Sequence, residues 1–281
     1  SWQKCSQEPL KKEEETQLDA YLDERFSGKV GEYLVYKGDF NNDDAKNSVL
    51  KSLFKNNYQK RYALYPNVGW DGSIKGDTSE VFENMFDWID KTIEFFKKNQ
   101  DRQLIIKSHP AEIVSDGCNI TVEEHIIKNH GVLPDNIVIL KPDVPVKAYD
   151  LIRQDTICLT YDGTIGLELA LLGFPVLVAA ETHYRETCVV KKIKSLDEYF
   201  KLLKDPAELI IFGKNHIELA RKYAYFYFFK LMVRVPFYRD DKWSTIDWKK
   251  ISDAEELLTD DGSVIKICKK IINKQDVLEP L

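Results

Sequence analysis

A handful of side chains have the types and spacing to bind an anionic, hydroxyl-bearing ligand. The stretch Thr160–Val178, TYDGTIGLELALLGFPVLV, reads as loop, helix, tight turn and strand. Thr160, Tyr161, Asp162, Gly163 and Thr164 form a small polar loop ahead of an apolar helix. Free N–H groups and the positive dipole end at such a helix start suit an anion, with Asp162 and Thr164 as caps. Glu168 is a carboxylate in the first turns of that otherwise apolar helix. It is either solvated at a helix edge or partly buried beside the ligand loop, where it needs donors such as ribose hydroxyls. His109 precedes Pro110 and either bonds to backbone or donates to a phosphate or carboxylate. Lys107, Ser108 and Glu112 flank it as further donor-binding candidates, although Lys107 falls within a strand. In HYRE (His183–Glu186), Tyr184 could stack on a base and Arg185 could pair with a diphosphate; an ordinary surface loop is the alternative. Asp71 is the candidate catalytic or positioning carboxylate.

The elements that must hold these groups follow from periodicity. Apolar runs of strand length occur at Arg61–Tyr65, Arg102–Lys107, Asn136–Asp143, Asp155–Leu159 and Pro175–Ala179. Helical patterns alternate with them: Ala45–Phe54, Ser79–Asn99, Glu123–Gly131, Val144–Gln154 and the helix ended by Gly173. Ser79 is expected to cap the long helix, and Pro145 suits a first helical turn. Strands alternating with helices predict an α/β fold: a doubly wound, Rossmann-like parallel sheet of about five to six strands with helices on both faces, plus extra N- and C-terminal helices. Asp71, His109, the Tyr161–Thr164 loop and His183–Glu186 each follow a strand, so all should open on the carboxyl edge of the sheet, where ligands bind in such folds.

Outside this region, Lys12–Phe26 reads as an amphipathic helix closed by Ser27-Gly28, and Glu32–Phe40 as a short strand or lead-in. Ser195–Asp205 is helical, Ala207–Met232 is long, helical and heavily aromatic, and Ile251–Asp260 and Gly262–Lys274 suggest terminal helices. The aromatic helix either packs over the sheet edge or offers a surface to a second domain or subunit. The expected organisation is a helical segment over 1–55, a Rossmann-like ligand-binding domain over 56–205 and a helical extension over 206–281 packing on it.

The 281 residues provide ample core, and a composition 43% hydrophobic and 31% charged is globular. A net charge of −6 argues against a nucleic-acid partner. Five scattered cysteines, none in C-x-x-C spacing, point to neither zinc nor a disulfide framework and fit a reducing compartment. No apolar run approaches the ~18 residues of a membrane span, and no signal peptide is visible. The chain opens at Ser1 without Met, which fits a fragment of something longer. A P-loop, a G-x-G-x-x-G fingerprint, a G-x-S-x-G elbow and metal-ligand spacings are all absent from the sequence.

His109-Pro110, then a polar loop and Glu168…Gly173-Phe-Pro175-Val176, resembles the C-terminal, donor-binding domain of GT-B glycosyltransferases. More narrowly, YPNVGWDGS, LIIKSHPAE and TYDGTIGLELALLGFPVLVA look like bacterial capsule polysaccharide biosynthesis proteins, a group that includes Kdo transferases. The resemblance covers roughly residues 60–190, and the His-Pro pair is similar to a CMP-contacting motif of sialyltransferases. It implies that His109 touches donor phosphate, that Thr160–Thr164 line the phosphate pocket and that Glu168 holds the nucleotide ribose. The implied activity is transfer of a sugar from a CMP- or UDP-linked donor to a glycan or glycolipid acceptor, with no metal or other cofactor. The implied setting is cytoplasmic, at the inner face of a membrane, with peripheral association left open. GT-B enzymes have two Rossmann-like domains, and residues 1–55 are too short for the acceptor half, so a missing domain or partner subunit is expected to supply it. A CDP-alcohol glycerophosphotransferase-like enzyme shares the motifs, and a non-catalytic nucleotide- or sugar-binding module is the alternative from another class.

Overall fold

A computed structural model describes residues 2–26, 42–69, 79–112, 120–153, 156–187, 189–232, 248–250 and 262–275. Asp71, the possible strand at Glu32–Phe40, the stop at Ser27-Gly28 and the helix expected over Ile251–Asp260 lie outside the described residues. The chain divides into two compact units, Tyr36–Ala220 and Ser1–Val35 with Arg221–Leu281.

Within the chain order, α1 (Trp2–Gln7) and α2 (Lys12–Phe26) come first, then α3 (Asp43–Leu53), β1 (Lys60–Tyr65), α4 (Met85–Lys98), β2 (Arg102–Lys107), α5 (Val122–His130) and β3 (Ile137–Leu140). β4 (Thr156–Thr160), α6 (Ile165–Leu171), β5 (Val176–Val178), β6 (Lys191–Lys192), α7 (Leu196–Lys204), α8 (Ala207–Asn215), α9 (Ile217–Tyr225) and α10 (Ser263–Ile272) follow. The expected α/β architecture is the observed one. The six strands of the larger unit are all parallel, in the order β3-β2-β1-β4-β5-β6. The order reverses between β1 and β4, the arrangement that opens a crevice at their carboxyl ends. Residues Tyr62–Tyr65 and all of β4 and β5 are buried, as a sheet covered on both faces requires.

α4 shows how sequence becomes packing. Met85, Trp88, Ile89, Thr92, Ile93 and Phe96 fall on one buried face at helical spacing. Trp88 Nε1 donates to the Tyr199 hydroxyl of α7 at 3.0 Å, and Thr92 Oγ1 lies 2.7 Å from it, so the one polar group that α7 sends inward is satisfied. The Tyr62 hydroxyl of β1 donates to the Leu203 carbonyl at 2.6 Å, tying sheet to helix. On the outer face of α4, Asp90 Oδ1 lies 2.9 Å from His125 Nε2 and 2.8 Å from His130 Nε2, holding α5 through a shared carboxylate.

Three expectations are corrected. The long helix starts at Met85, not Ser79, because Asn84 accepts from the Asp87 N–H and so caps it. Ser79 instead donates to the Ala179 carbonyl at 2.6 Å and accepts from Val81 and Phe82 N–H groups, which holds the preceding turn against the end of β5. Val144–Gln154 is helical only as one 3-10 turn, Ala148–Leu151, opened by the Asp150 carboxylate accepting from the Lys147 N–H. Ala207–Met232 is not continuous: it breaks into α8, α9 and a π-helical segment, Phe226–Leu231, with His216 Nδ1 taken by the Phe212 carbonyl at the first break. The N-terminal amphipathic segment is preceded by a separate short helix, α1.

In the smaller unit, Trp2 packs edge-on against Tyr223 with ring centroids 5.0 Å apart, and Tyr21 packs on Phe228 and Phe229. Arg221 bridges Asp19 at 2.7 Å and Lys222 donates to the Ser6 carbonyl. The aromatic crowd at the end of α9 therefore has α1 and α2 as its local partners. Among the described residues no helix is long and apolar enough to cross a membrane.

Gly173 stops α6 as its position predicts. It has φ +78°, its N–H bonds the Ala170 carbonyl and the Phe174 N–H bonds the Leu169 carbonyl, a Schellman motif. A Cβ there would also sit 2.6 Å from Ile217 Cδ1. Gly173→Ala is expected to destabilise the larger unit by roughly 1–2 kcal/mol, as left-handed backbone does in an L-residue. Urea unfolding with an unchanged m-value checks it; a variant as stable as the parent would show that the turn is not strained by a side chain.

Candidate functional site

The loops at the carboxyl ends of β2, β1, β4 and β5 lie side by side, because these strands are neighbours in the sheet. Four hydrogen bonds tie them and the Ala148–Leu151 turn together. Asn67, two residues past β1, donates through Nδ2 to Asp162 Oδ1 in the loop after β4, spanning the crevice where the strand order reverses. The Tyr184 hydroxyl, from the segment after β5, donates to the Gly163 carbonyl at 2.5 Å. Tyr149 in the Ala148–Leu151 turn donates to Glu168 Oε2 of α6, and the same turn is held by Tyr65 of β1, whose hydroxyl donates to the Ala148 carbonyl at 2.9 Å.

The loop after β2 is built around His109. Pro110 opens a 3-10 turn, Pro110–Glu112, and has no N–H to satisfy. The next N–H, of Ala111, donates to His109 Nδ1 at 3.1 Å, and the Glu112 N–H donates to the His109 carbonyl. The imidazole thus caps its own turn. With Nδ1 accepting, a neutral ring carries its proton on Nε2, which is thereby a donor.

Accessibility divides the sequence-derived site residues. His109, Asp162 and Gly163 are half-buried and Thr164 is exposed, so these form a rim with Asn67. Lys107, Ser108, Glu112, Thr160, Tyr161, Glu168, Tyr184 and Arg185 are all buried. Tyr161 packs under Trp88 with centroids 5.7 Å apart and belongs to the core. Tyr184 is wholly buried, so its ring offers no face for a base; it props the loop after β4 instead. Arg185 is buried between Glu181 and Glu80, the latter 3.4 Å from Nη2, and two carboxylates leave its charge neutralised within the chain rather than offered to a diphosphate. Lys107 turns toward β3, where Nζ donates to the Lys141 carbonyl at 3.1 Å. Thr164 occupies the N-cap position of α6 but its side chain makes no capping bond, and α6 is only seven residues long. Asp71 lies outside the described residues.

Two residues missing from the sequence reading belong here. Asn67 lies two residues past the strand run Arg61–Tyr65, and that position beside a strand end is the signal the sequence offers. Tyr149 carried none: it lay in a segment read as helix, and only the fold brings it to Glu168, 19 positions away.

Next to His109 in the chain are two buried polar side chains, Ser108 and Glu112. Glu112 Oε1 accepts from the Val122 N–H at 3.2 Å, while Oε2, like Ser108 Oγ, is buried with no hydrogen-bond partner among the described residues. Burial pushes the Glu112 carboxyl up to about 7, offset in part by the Val122 N–H and by Lys107. Burial likewise draws Lys107 down to about 8, offset by Asp143 and Glu112. Among the described residues no group of histidine, cysteine and carboxylate side chains is disposed to hold a metal ion.

No protein-family model matches the chain, and no curated protein matches it. Among solved structures, the chain is similar to a Listeria monocytogenes protein assigned as a UDP-N-acetylglucosamine 2-epimerase, with 16% identity, a TM-score of 0.36, and 83% of this chain and 50% of that chain covered. It is also similar to the glycotransferase of kitacinnamycin, with 15% identity, a TM-score of 0.32, and 60% and 42% covered. This chain thus spans at most about half of either protein. Likenesses of this strength establish neither a family nor an activity.

Two measurements test the site's construction. A Cβ on Gly166 would meet the Tyr184 hydroxyl at 2.4 Å and Thr160 Oγ1 at 3.1 Å. Gly166→Ala is therefore expected to cost roughly 1–3 kcal/mol, the range for an overpacked core, and Tyr184→Phe in the same chain should recover part of it; no recovery means the clash is relieved elsewhere. Glu112 gives a pH signature. Its carboxyl binds a proton more tightly folded than unfolded, so its stability contribution is complete below about pH 4.5 and is lost as pH rises through about 7. Glu112→Gln should thus stabilise the chain above pH 7 by on the order of 2 kcal/mol and little at pH 4. Equal effects at both pH values refute the assignment.

Proposed function

We propose that this chain carries the donor-binding domain of a nucleotide-sugar-dependent glycosyltransferase of the GT-B type, acting in synthesis of a surface polysaccharide or glycan. The reading rests on the sequence resemblance of residues 60–190 and is supported by one structural observation: Asn67, His109 and the Tyr161–Thr164 loop follow the neighbouring strands β1, β2 and β4 of a parallel sheet whose order reverses between β1 and β4. His109, Asn67 and Asp162 are half-buried there and Thr164 is exposed.

In this reading the donor's phosphate lies along Gly163 and Thr164 and accepts from His109 Nε2–H. The Ala111 N–H, donating to Nδ1, is what leaves the ring proton of the neutral imidazole on Nε2. Glu168 accepts from a ribose hydroxyl and shares its carboxylate with Tyr149, whose hydroxyl holds it in one rotamer. Tyr184 and Arg185 act from below, keeping the loop in place. In the reaction an acceptor oxygen bonds to the anomeric carbon, the bond from that carbon to the phosphate oxygen breaks, and the departing phosphate is stabilised by hydrogen-bond donors already in position. The acceptor's proton passes to a base; Asp71 is assigned this part on its place in the sequence alone. The acceptor and the rest of its site belong to a second domain or subunit.

Titration calorimetry and thermal shift with CMP, CDP, UDP, UMP and GDP test the proposal. One nucleotide should bind selectively, raising stability by about 2.7 kcal/mol at a hundredfold excess over Kd. His109→Ala should weaken it tenfold or more, the value of a hydrogen bond to a charged group. Tyr149→Phe should weaken it less than Glu168→Gln. Nucleotide affinity unchanged in both His109→Ala and Glu168→Gln, or no binding by the folded chain, contradicts the placement. Turnover of a CDP-alcohol in place of a nucleotide sugar would move the activity to polyol-phosphate transfer at the same site.

A further inference from the structure

The last described helix has a composition unlike the rest of the molecule. Between Gly262 and Gln275 there are four lysines and no acidic residue, in a chain whose net charge is −6. At 100° per residue, Val264, Ile265, Ile267, Cys268, Ile271 and Ile272 of α10 fall within about 160° of arc, while Lys266, Lys269 and Lys270 occupy the opposite side. On the apolar side Val264, Ile265 and Ile267 are half-buried, and the last turn is open: Ile271 is 62% exposed and Ile272 77% exposed, with Cys268 exposed beside them. Lys266 and Lys269 are exposed on the other side.

The helix end is well built. The Lys274 N–H bonds the Ile271 carbonyl and the Gln275 N–H bonds the Lys270 carbonyl, with Lys274 at φ +54°. That is a complete Schellman stop. It adds a fourth lysine just past the two exposed isoleucines and satisfies the carbonyls that would otherwise face outward unpaired.

We propose that α10 is an interfacial anchor that lies along the surface of an anionic phospholipid bilayer. An apolar side of about half the helix opposite an all-lysine side matches a plane that is hydrocarbon below and negatively charged above. A neutral groove in a protein partner would fit the isoleucines and leave the lysines without a counterpart. The chain outside this helix carries a net charge of about −10, so its net electrostatic interaction with the same surface is repulsive and the attraction of α10 is set against it. The inference draws on none of the residues assigned to the nucleotide site.

Co-sedimentation of the whole chain with phosphatidylcholine vesicles, with and without phosphatidylglycerol, tests it. The parent is expected to partition onto the phosphatidylglycerol vesicles and to come off as salt is raised. Lys266→Gln with Lys269→Gln should lower partition by about fivefold per lysine, equivalent to about 1 kcal/mol each near an anionic surface. Ile271→Ser with Ile272→Ser should abolish it while circular dichroism and nucleotide binding stay as in the parent, since both side chains are exposed. Equal partition onto neutral and anionic vesicles, or none onto either, overturns the proposal. So does a dimer in sedimentation velocity that the serine variant dissociates while neither form binds lipid, because the face would then belong to a second copy.

Discussion

A parallel sheet covered on both faces has to send every connection out through its ends. The buried strands β1, β4 and β5 carry few polar side chains along their length, among them Tyr62, Thr156 and Thr160, so most of the polar chemistry of the larger unit is displaced to the loops where these strands finish. Those loops leave backbone and side-chain groups that water reaches only in part, and the loops meet the need by bonding to one another. Asn67 to Asp162, Tyr184 to the Gly163 carbonyl, and Tyr149 to Glu168 are three solutions to that one requirement. The result is a carboxyl edge that is held in shape before any ligand arrives. Such rigidity lowers the ordering cost of binding.

Small residues are what let this edge close. Gly166 gives the Tyr184 hydroxyl room to reach the loop, and Gly173 turns the chain sharply enough for β5 to lie next to β4. The spacing Glu168…Gly173-Phe-Pro175 therefore has a mechanical sense: a carboxylate early in a two-turn helix, a left-handed stop after it, and a proline before the next strand. His109-Pro110 has a comparable one. Proline removes one N–H at the start of a tight turn and the imidazole accepts the next, so the pair is a self-capped corner that orients a ring nitrogen. Both motifs are local structure first, and their value for binding follows from where the sheet puts them.

Support and contact separate clearly at this edge. Tyr161, Tyr184 and Arg185 are the large polar side chains nearest the loops, yet all are buried and committed to the chain itself. Smaller groups, among them His109, Asn67, Asp162 and Thr164, are left half-buried or exposed along the edge. Burying a guanidinium between Glu80 and Glu181 costs desolvation that the two carboxylates offset, and the arrangement locks the segment after β5 rather than freeing a cation. Close to His109 in the chain, Lys107 and Glu112 form the opposite case, two ionisable groups whose burial draws each toward its neutral form.

Local pattern alone was enough for the parallel strands β1 to β5, the amphipathic face of α4, the capped α5 and α7, and the stop at Gly173, since each is decided by neighbours within a few residues. The carboxyl-edge location of His109, the Tyr161–Thr164 loop and Glu168 followed from the same alternation of strands and helices. Three things were beyond it. Asn84 rather than Ser79 began α4 because Ser79 was claimed by the distant Ala179 carbonyl. Tyr149 reached Glu168 only once a segment of helical pattern had folded as a single 3-10 turn against Tyr65. Tyr184 and Arg185, plausible as ligand contacts by type, became internal supports because partners far along the chain met them first. A sequence states which groups need partners over short range; which partner each one obtains, and which are left facing water, is settled by packing between residues tens of positions apart.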